Sequence, residues 1–67
     1  MSYNRATEYL TVHEIAQLLR LSVLTIYKYI KGGQLIAVEF GGHYRVSRSA
    51  LQAFIKEHRV AQRKEQL

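Results

Sequence analysis

The chain has 67 residues, with ten Lys and Arg against five acids, a formal net charge of +5, four Gly, and neither Pro, Cys nor Trp. One domain is the limit at this length, burying only about 60% of the surface its unfolded chain exposes, and without Cys neither a disulfide framework nor a thiolate metal site is available. All five acids are Glu; the lack of Asp and the small size speak against a catalytic pocket, while the surplus of cations favours an anionic partner, nucleic acid above a membrane surface.

Residues 1–8 are read as a flexible arm. MSYNRATEY has no basic start followed by an apolar run, and no stretch approaches the ~18 apolar residues of a membrane span. A cytoplasmic, nucleoid-associated protein without a membrane partner is expected.

The domain proper is expected over residues 9–58. Thr11-Val12-His13-Glu14 is a capping box, so a helix starts there. Val12, Ile15, Ala16, Leu18 and Leu19 fall on one face and His13, Glu14, Gln17 and Arg20 on the other, giving roughly two and a half turns that end near Arg20. Ser22 then caps a second helix, from Val23 to about Lys31, stopped where Gly32-Gly33 allows positive φ. Two amphipathic helices joined so tightly must cross steeply to bury both stripes, with Ala16 at the close contact.

Beyond the glycines, Leu35 to Phe40 and Tyr44 to Val46 are β-rich and flank Gly41-Gly42, the pattern of a hairpin with a glycine tip. Ser47 caps a last helix with Ala50, Leu51, Phe54, Ile55 and His58 on one face. From Arg59 the tail VAQRKEQL loses periodicity; Arg59, Arg63 and Lys64 are a solvated tail or a loose phosphate-seeking arm. The order helix, turn, helix, hairpin, helix predicts a mainly α fold with a small β-hairpin, a winged helix-turn-helix of three helices and a two-stranded wing.

The second helix divides lengthwise. Val23, Ile26 and Ile30 point one way, Leu24, Thr25, Lys28 and Lys31 the other, with Tyr27 and Tyr29 on the borders. A helix lying in a major groove needs this division, one stripe anchoring it and the other offering donors and small apolar groups to base edges. Lys28 suits guanine O6 or N7, Thr25 a base or a phosphate, and Leu24 a thymine methyl. The tyrosine hydroxyls and Lys31 suit phosphates, which fix register without reading sequence. A merely solvated face is the plain alternative, but no Glu pairs with these lysines at i±4.

At the hairpin tip, Gly41-Gly42-His43 beside Arg45 forms a thin basic projection of minor-groove width, or simply closes a turn. Tyr44 is expected to point into the core, and Tyr9 either into the core or towards stacked bases. His13, His43 and His58 share no metal-ligand spacing; His58 reads as the polar edge of the last helix. No catalytic residue, metal or cofactor is expected.

From Tyr9 to about Ile55 the string YLTVHEIAQLLRLSVLTIYKYIKGGQLIAVEFGGHYRVSRSALQAFI resembles the excisionase family of mobile genetic elements and the DNA-reading half of MerR-type regulators. The resemblance rests on L-T-V-x-E-I-A in the first helix, L-S-x-x-T-I-Y-K-Y-I-K-G-G-Q-L through the second and F-G-G-H-Y-R-V-S-R-S-A-L through the wing, occurring together in this order. It implies recognition-helix contacts at Leu24, Thr25, Tyr27 and Lys28, backbone contacts near Tyr29 and Lys31, and wing contacts at Gly42, His43 and Arg45, with Ser22 heading the helix. Arg20 departs from the Gly common in such turns, and His43 from the Arg common in such wings. The resemblance further implies double-stranded DNA as partner, side-by-side binding of copies on adjacent sites, DNA bending and help to an integrase. A small transcriptional regulator of the same fold, a protein-interaction module built on Leu24 and the tyrosines, and an RNA or single-strand binder are the alternatives.

Overall fold

The structure, a computed structural model, describes residues 8–60. The arm before residue 8 and the tail beyond residue 60, with Arg63 and Lys64, lie outside them. The elements run β1 (Tyr9–Thr11), α1 (Val12–Leu19), α2 (Val23–Lys31), β2 (Val38–Phe40), β3 (His43–Ser47) and α3 (Arg48–Glu57).

The capping box at the head of α1 closes reciprocally: Thr11 Oγ1 accepts the Glu14 amide at 3.0 Å and Glu14 Oε1 accepts the Thr11 amide at 2.8 Å, satisfying two donors a helix start leaves open. The far end has no glycine. Arg20 itself takes the left-handed conformation, φ 59° and ψ 43°, and the Leu21 amide returns to the Ala16 carbonyl at 2.9 Å. Only Arg20, Leu21 and Ser22 separate the two helices. Ser22 Oγ then accepts the Thr25 amide at 3.1 Å and caps α2.

At the end of α2 only the second glycine has positive φ: Gly32 stays helical at −81° and Gly33 turns at +80°. The Gln34 and Leu35 amides both return to the Tyr29 carbonyl, at 3.0 and 3.2 Å. This turn delays the strand expected from Leu35. Leu35 has its amide in the turn and its side chain in the core, and pairing begins only at Val38 opposite Arg45.

The hairpin crosses from Phe40 to His43 through Gly41 and Gly42, with φ of 55° and 86°. Two consecutive positive φ angles define the type I′ turn, whose twist matches that of the strands it joins. Ser47 ends β3 and caps α3, accepting the Ala50 amide at 3.0 Å.

The periodicity gives no hint of β1. Tyr9, Leu10 and Thr11 pair antiparallel with Ser47, Val46 and Arg45, making a three-stranded sheet in the order β1-β3-β2. The wing hairpin is thus two strands of a larger sheet, and the fold is mainly helical, a winged helix-turn-helix. A bond from the Arg48 amide to the Glu8 carbonyl (2.9 Å) and an ion pair between the same side chains (3.0 Å) continue the β1 pairing into α3.

Between sheet and helices lies one apolar core: Leu10, Val12, Ile15, Ala16, Ile26, Leu35, Val46, Leu51 and Phe54. Several expected members fall outside it. Leu18 is 60% exposed, because it sits a full residue step round α1 from Leu19, beyond the arc that Val12, Ile15 and Ala16 bury. Ile55 is exposed on α3. Tyr9 is exposed as well and meets Phe40 edge to face at 5.9 Å; it shares a sheet face with Thr11, Arg45 and Val38, opposite the face of Leu10 and Val46. Tyr44 lies on that inner face, half-buried against the core.

Candidate nucleic-acid interface

The lengthwise division of α2 is present in three dimensions. Ile26 is fully buried, with Val23 and Ile30 packed half-buried beside it. Leu24 (65% exposed), Tyr27, Lys28 and Lys31 are open to solvent. Thr25 is half-buried, and its hydroxyl shares a 2.8 Å hydrogen bond with Ser22 Oγ. These two hydroxyls are held by each other and by the cap, so the first turn presents a fixed surface.

The border tyrosines part company. The Tyr27 ring meets Tyr44 of β3 at 5.9 Å and so tilts towards the wing. The Tyr29 ring packs on Phe54 at 4.9 Å and His58 at 5.5 Å. Tyr29 thereby braces α2 against α3 and stands apart from the exposed lysines. The His58 ring lies 4.2 Å from that of Phe54, with Nδ1 2.9 Å from the Phe54 carbonyl, at the edge of the apolar face as the sequence suggests.

In the wing, Gly42 and His43 are exposed at the tip. Arg45 is half-buried, flanked in register by Thr11 and Val38, and its Nη1 donates to the Tyr44 carbonyl at 3.2 Å. Arg45 is therefore rooted at the centre of the sheet, two residues behind the tip. Glu39, opposite Tyr44, adds a carboxylate to the hairpin.

Between these parts runs a cleft of about 410 Å³, lined by Thr11, Val12 and His13 from the start of α1, Tyr27 from α2, and Gly42 to Arg45 from the wing. It exists because β1 stops at Thr11, opposite Arg45. Past that point the chain turns into α1, and β3 continues to its tip paired with β2 alone. Tyr27, Gly42, His43 and Arg45 are brought together here, while Lys28 and Lys31 lie further along α2. The contribution of Thr11 and His13 carries no sequence signal, since His13 and His43 are thirty positions apart. Among the described residues no three side chains gather in a metal-binding group, and no helix is long and apolar enough to cross a membrane.

Residues 9–59 match the model of a family described as a helix-turn-helix domain. Two proteins of Mycobacterium tuberculosis, "Putative DNA-binding protein MT0521" of strain CDC 1551 and "Putative DNA-binding protein Rv0500A" of strain H37Rv, are each 38% identical over 50 residues, covering 75% of this chain. The match spans 64% of the length of each relative, a little under two thirds. No solved structure gives a significant match.

Proposed function

The chain belongs to the helix-turn-helix domain family, and from that premise we propose that it binds double-stranded DNA by sequence, laying the exposed stripe of α2 in a major groove and the wing tip against the adjoining backbone and minor groove. The observation that carries this reading is the division of α2: Ile26 locked in the core, with Leu24, Lys28 and Lys31 open on the other side and no acid anywhere on the helix. A solvated face would mix charges, whereas a purely cationic face leaves phosphates and guanine acceptors as its natural complement. The names of the two mycobacterial relatives point the same way.

In this arrangement Lys28 reads a base edge, Leu24 meets a thymine methyl, and Ser22 and Thr25 approach at the head of the helix. Tyr27 and Lys31 serve the backbone, while Tyr29, packed on Phe54 and His58, holds α2 in place for them. Gly42, His43 and Arg45 form the wing contact. The protein acts by binding, without catalysis or a cofactor.

The excisionase resemblance supports a role as a recombination directionality factor of a mobile element, working at the nucleoid beside an integrase and with copies of itself on neighbouring sites. A small transcriptional regulator of the same fold is the second reading. Both require duplex binding, which a titration of labelled duplex at several salt concentrations tests. Affinity should fall by about 0.9 log unit per log unit of salt for each phosphate contact. An affinity indifferent to salt would instead indicate a protein-interaction module, and a preference for single strands would indicate stacking on the tyrosines.

A further inference from the structure

The cleft between α1, α2 and the wing carries an unusual set of side chains. The titratable residues along it are His13 from α1, Tyr27 from α2, and Tyr44 with, on the opposite face of the same strand edge, His43 and Arg45; none is a carboxylate. Two carboxylates stand beside the cleft without lining it. Glu14, next to His13, holds the Thr11 amide at 2.8 Å, and Glu39 is on β2, across from Tyr44 and outside the lining. Both His13 and His43 are exposed. The edge of β3 between the departure of β1 and the glycine tip forms one wall, where the Tyr44 carbonyl accepts from Arg45 Nη1 at 3.2 Å.

We propose that this cleft seats one backbone phosphate of the bound duplex, held by His13 and His43 as imidazolium ions together with Arg45, so that DNA binding takes up protons. The proposal rests on the duplex-binding reading above and deepens it. A duplex that touches both α2 and the wing passes a sugar-phosphate strand over the space between them. Two imidazoles and a guanidinium with no carboxylate among them match a phosphodiester, whose oxygens accept charge-assisted hydrogen bonds. An imidazole ordinarily titrates near pH ~6.5 and gains affinity for its proton beside an anion. The sign follows: phosphate binding favours the protonated imidazoles, so affinity rises as pH falls and is lost as pH rises through the range where the bound histidines release their protons.

The test is the affinity of the full chain for a mixed-sequence duplex of about 30 base pairs, long enough for both grooves to be met over two or more turns, at constant ionic strength from pH 8 to pH 6. Wild type is expected to bind roughly sixfold tighter at pH 6 than at pH 8, each imidazole supplying about 2.5-fold for a displacement of about half a unit from the ordinary imidazole value of ~6.5. H13Q and H43Q should each flatten the dependence, and the double variant should remove it. H58Q should keep it, because His58 packs on Phe54 and Tyr29 outside the cleft. As a second readout needing no substitution, the ring resonances of His13 and His43 should titrate at higher pH with DNA present, while those of His58 stay put. Binding that is flat in pH, or a dependence that survives in the double variant, overturns the phosphate cleft and leaves duplex binding standing. Absence of any binding at either pH defeats the duplex reading itself.

Discussion

Glu39 stands directly across from Tyr44 in the wing, and Tyr44 in turn meets the ring of Tyr27 on α2. The hairpin's one carboxylate is thereby set on the strand face that turns towards the proposed DNA-binding helix. A negative charge there opposes the approach of phosphates. Replacing it by Gln should tighten duplex binding about two- to fivefold, or roughly 0.5–1 kcal/mol, the scale of an exposed charge interaction. Binding titrations of E39Q at low and moderate salt check this, and the gain should shrink as salt screens it.

Leu24 and Ile26 are two residues apart and on opposite sides of α2. Ile26→Ala removes a fully buried side chain and should cost about 2–5 kcal/mol, enough to unfold much of so small a domain. Leu24→Ala should leave the thermal midpoint nearly unchanged and weaken binding only to sites with a thymine under it. Melting curves and binding to duplexes with and without that thymine separate the two effects.

Lys28 and Lys31 are both exposed, one helical turn apart. Lys28→Ala should cost about 1–3 kcal/mol on the preferred site and erode discrimination there. Lys31→Ala should weaken all duplexes alike and lower the salt slope by about 0.9. Parallel salt titrations of the two variants on specific and random duplexes decide it; equal effects on every sequence from Lys28→Ala would refute the assigned docking of α2.

Arg20 holds a left-handed backbone without being glycine, a conformation that costs an L-residue roughly 1–2 kcal/mol. Arg20→Gly should therefore stabilise the free protein by about 1 kcal/mol, less the extra entropy glycine gives the unfolded chain. At this size a gain of 1 kcal/mol moves the midpoint by roughly 4–8 °C. Calorimetry or circular-dichroism melting measures it.

Much of this architecture is legible in the chain because its punctuation is local. Thr11 with Glu14, Ser22, Ser47 and the pair Gly41-Gly42 each settle a boundary within three or four residues. The lengthwise division of α2 follows from its periodicity alone. What escapes is set by distance. Three residues of β1 are too few to alternate visibly, and their partner strand begins more than thirty positions later. The ends of the apolar stripes are equally hidden, since Leu18 and Ile55 fit the periodic pattern of their helices yet are exposed in the fold. The cleft is the extreme case, assembled from three segments that no local pattern links.

The pairing of β1 with β3 orders events during synthesis. Residues 9–35 contain both helices of the turn, which contact each other over a short sequence separation. Leu10 and Val46 gain their cover only after Ser47 has been made. The nascent domain thus displays its lysine-bearing helix before the scaffold behind it is locked, and a chain interrupted before residue 47 leaves β1 waiting for a partner. A fusion joined ahead of Glu8 leaves this closure intact, whereas one that replaces residues 8–11 removes the strand that completes the fold.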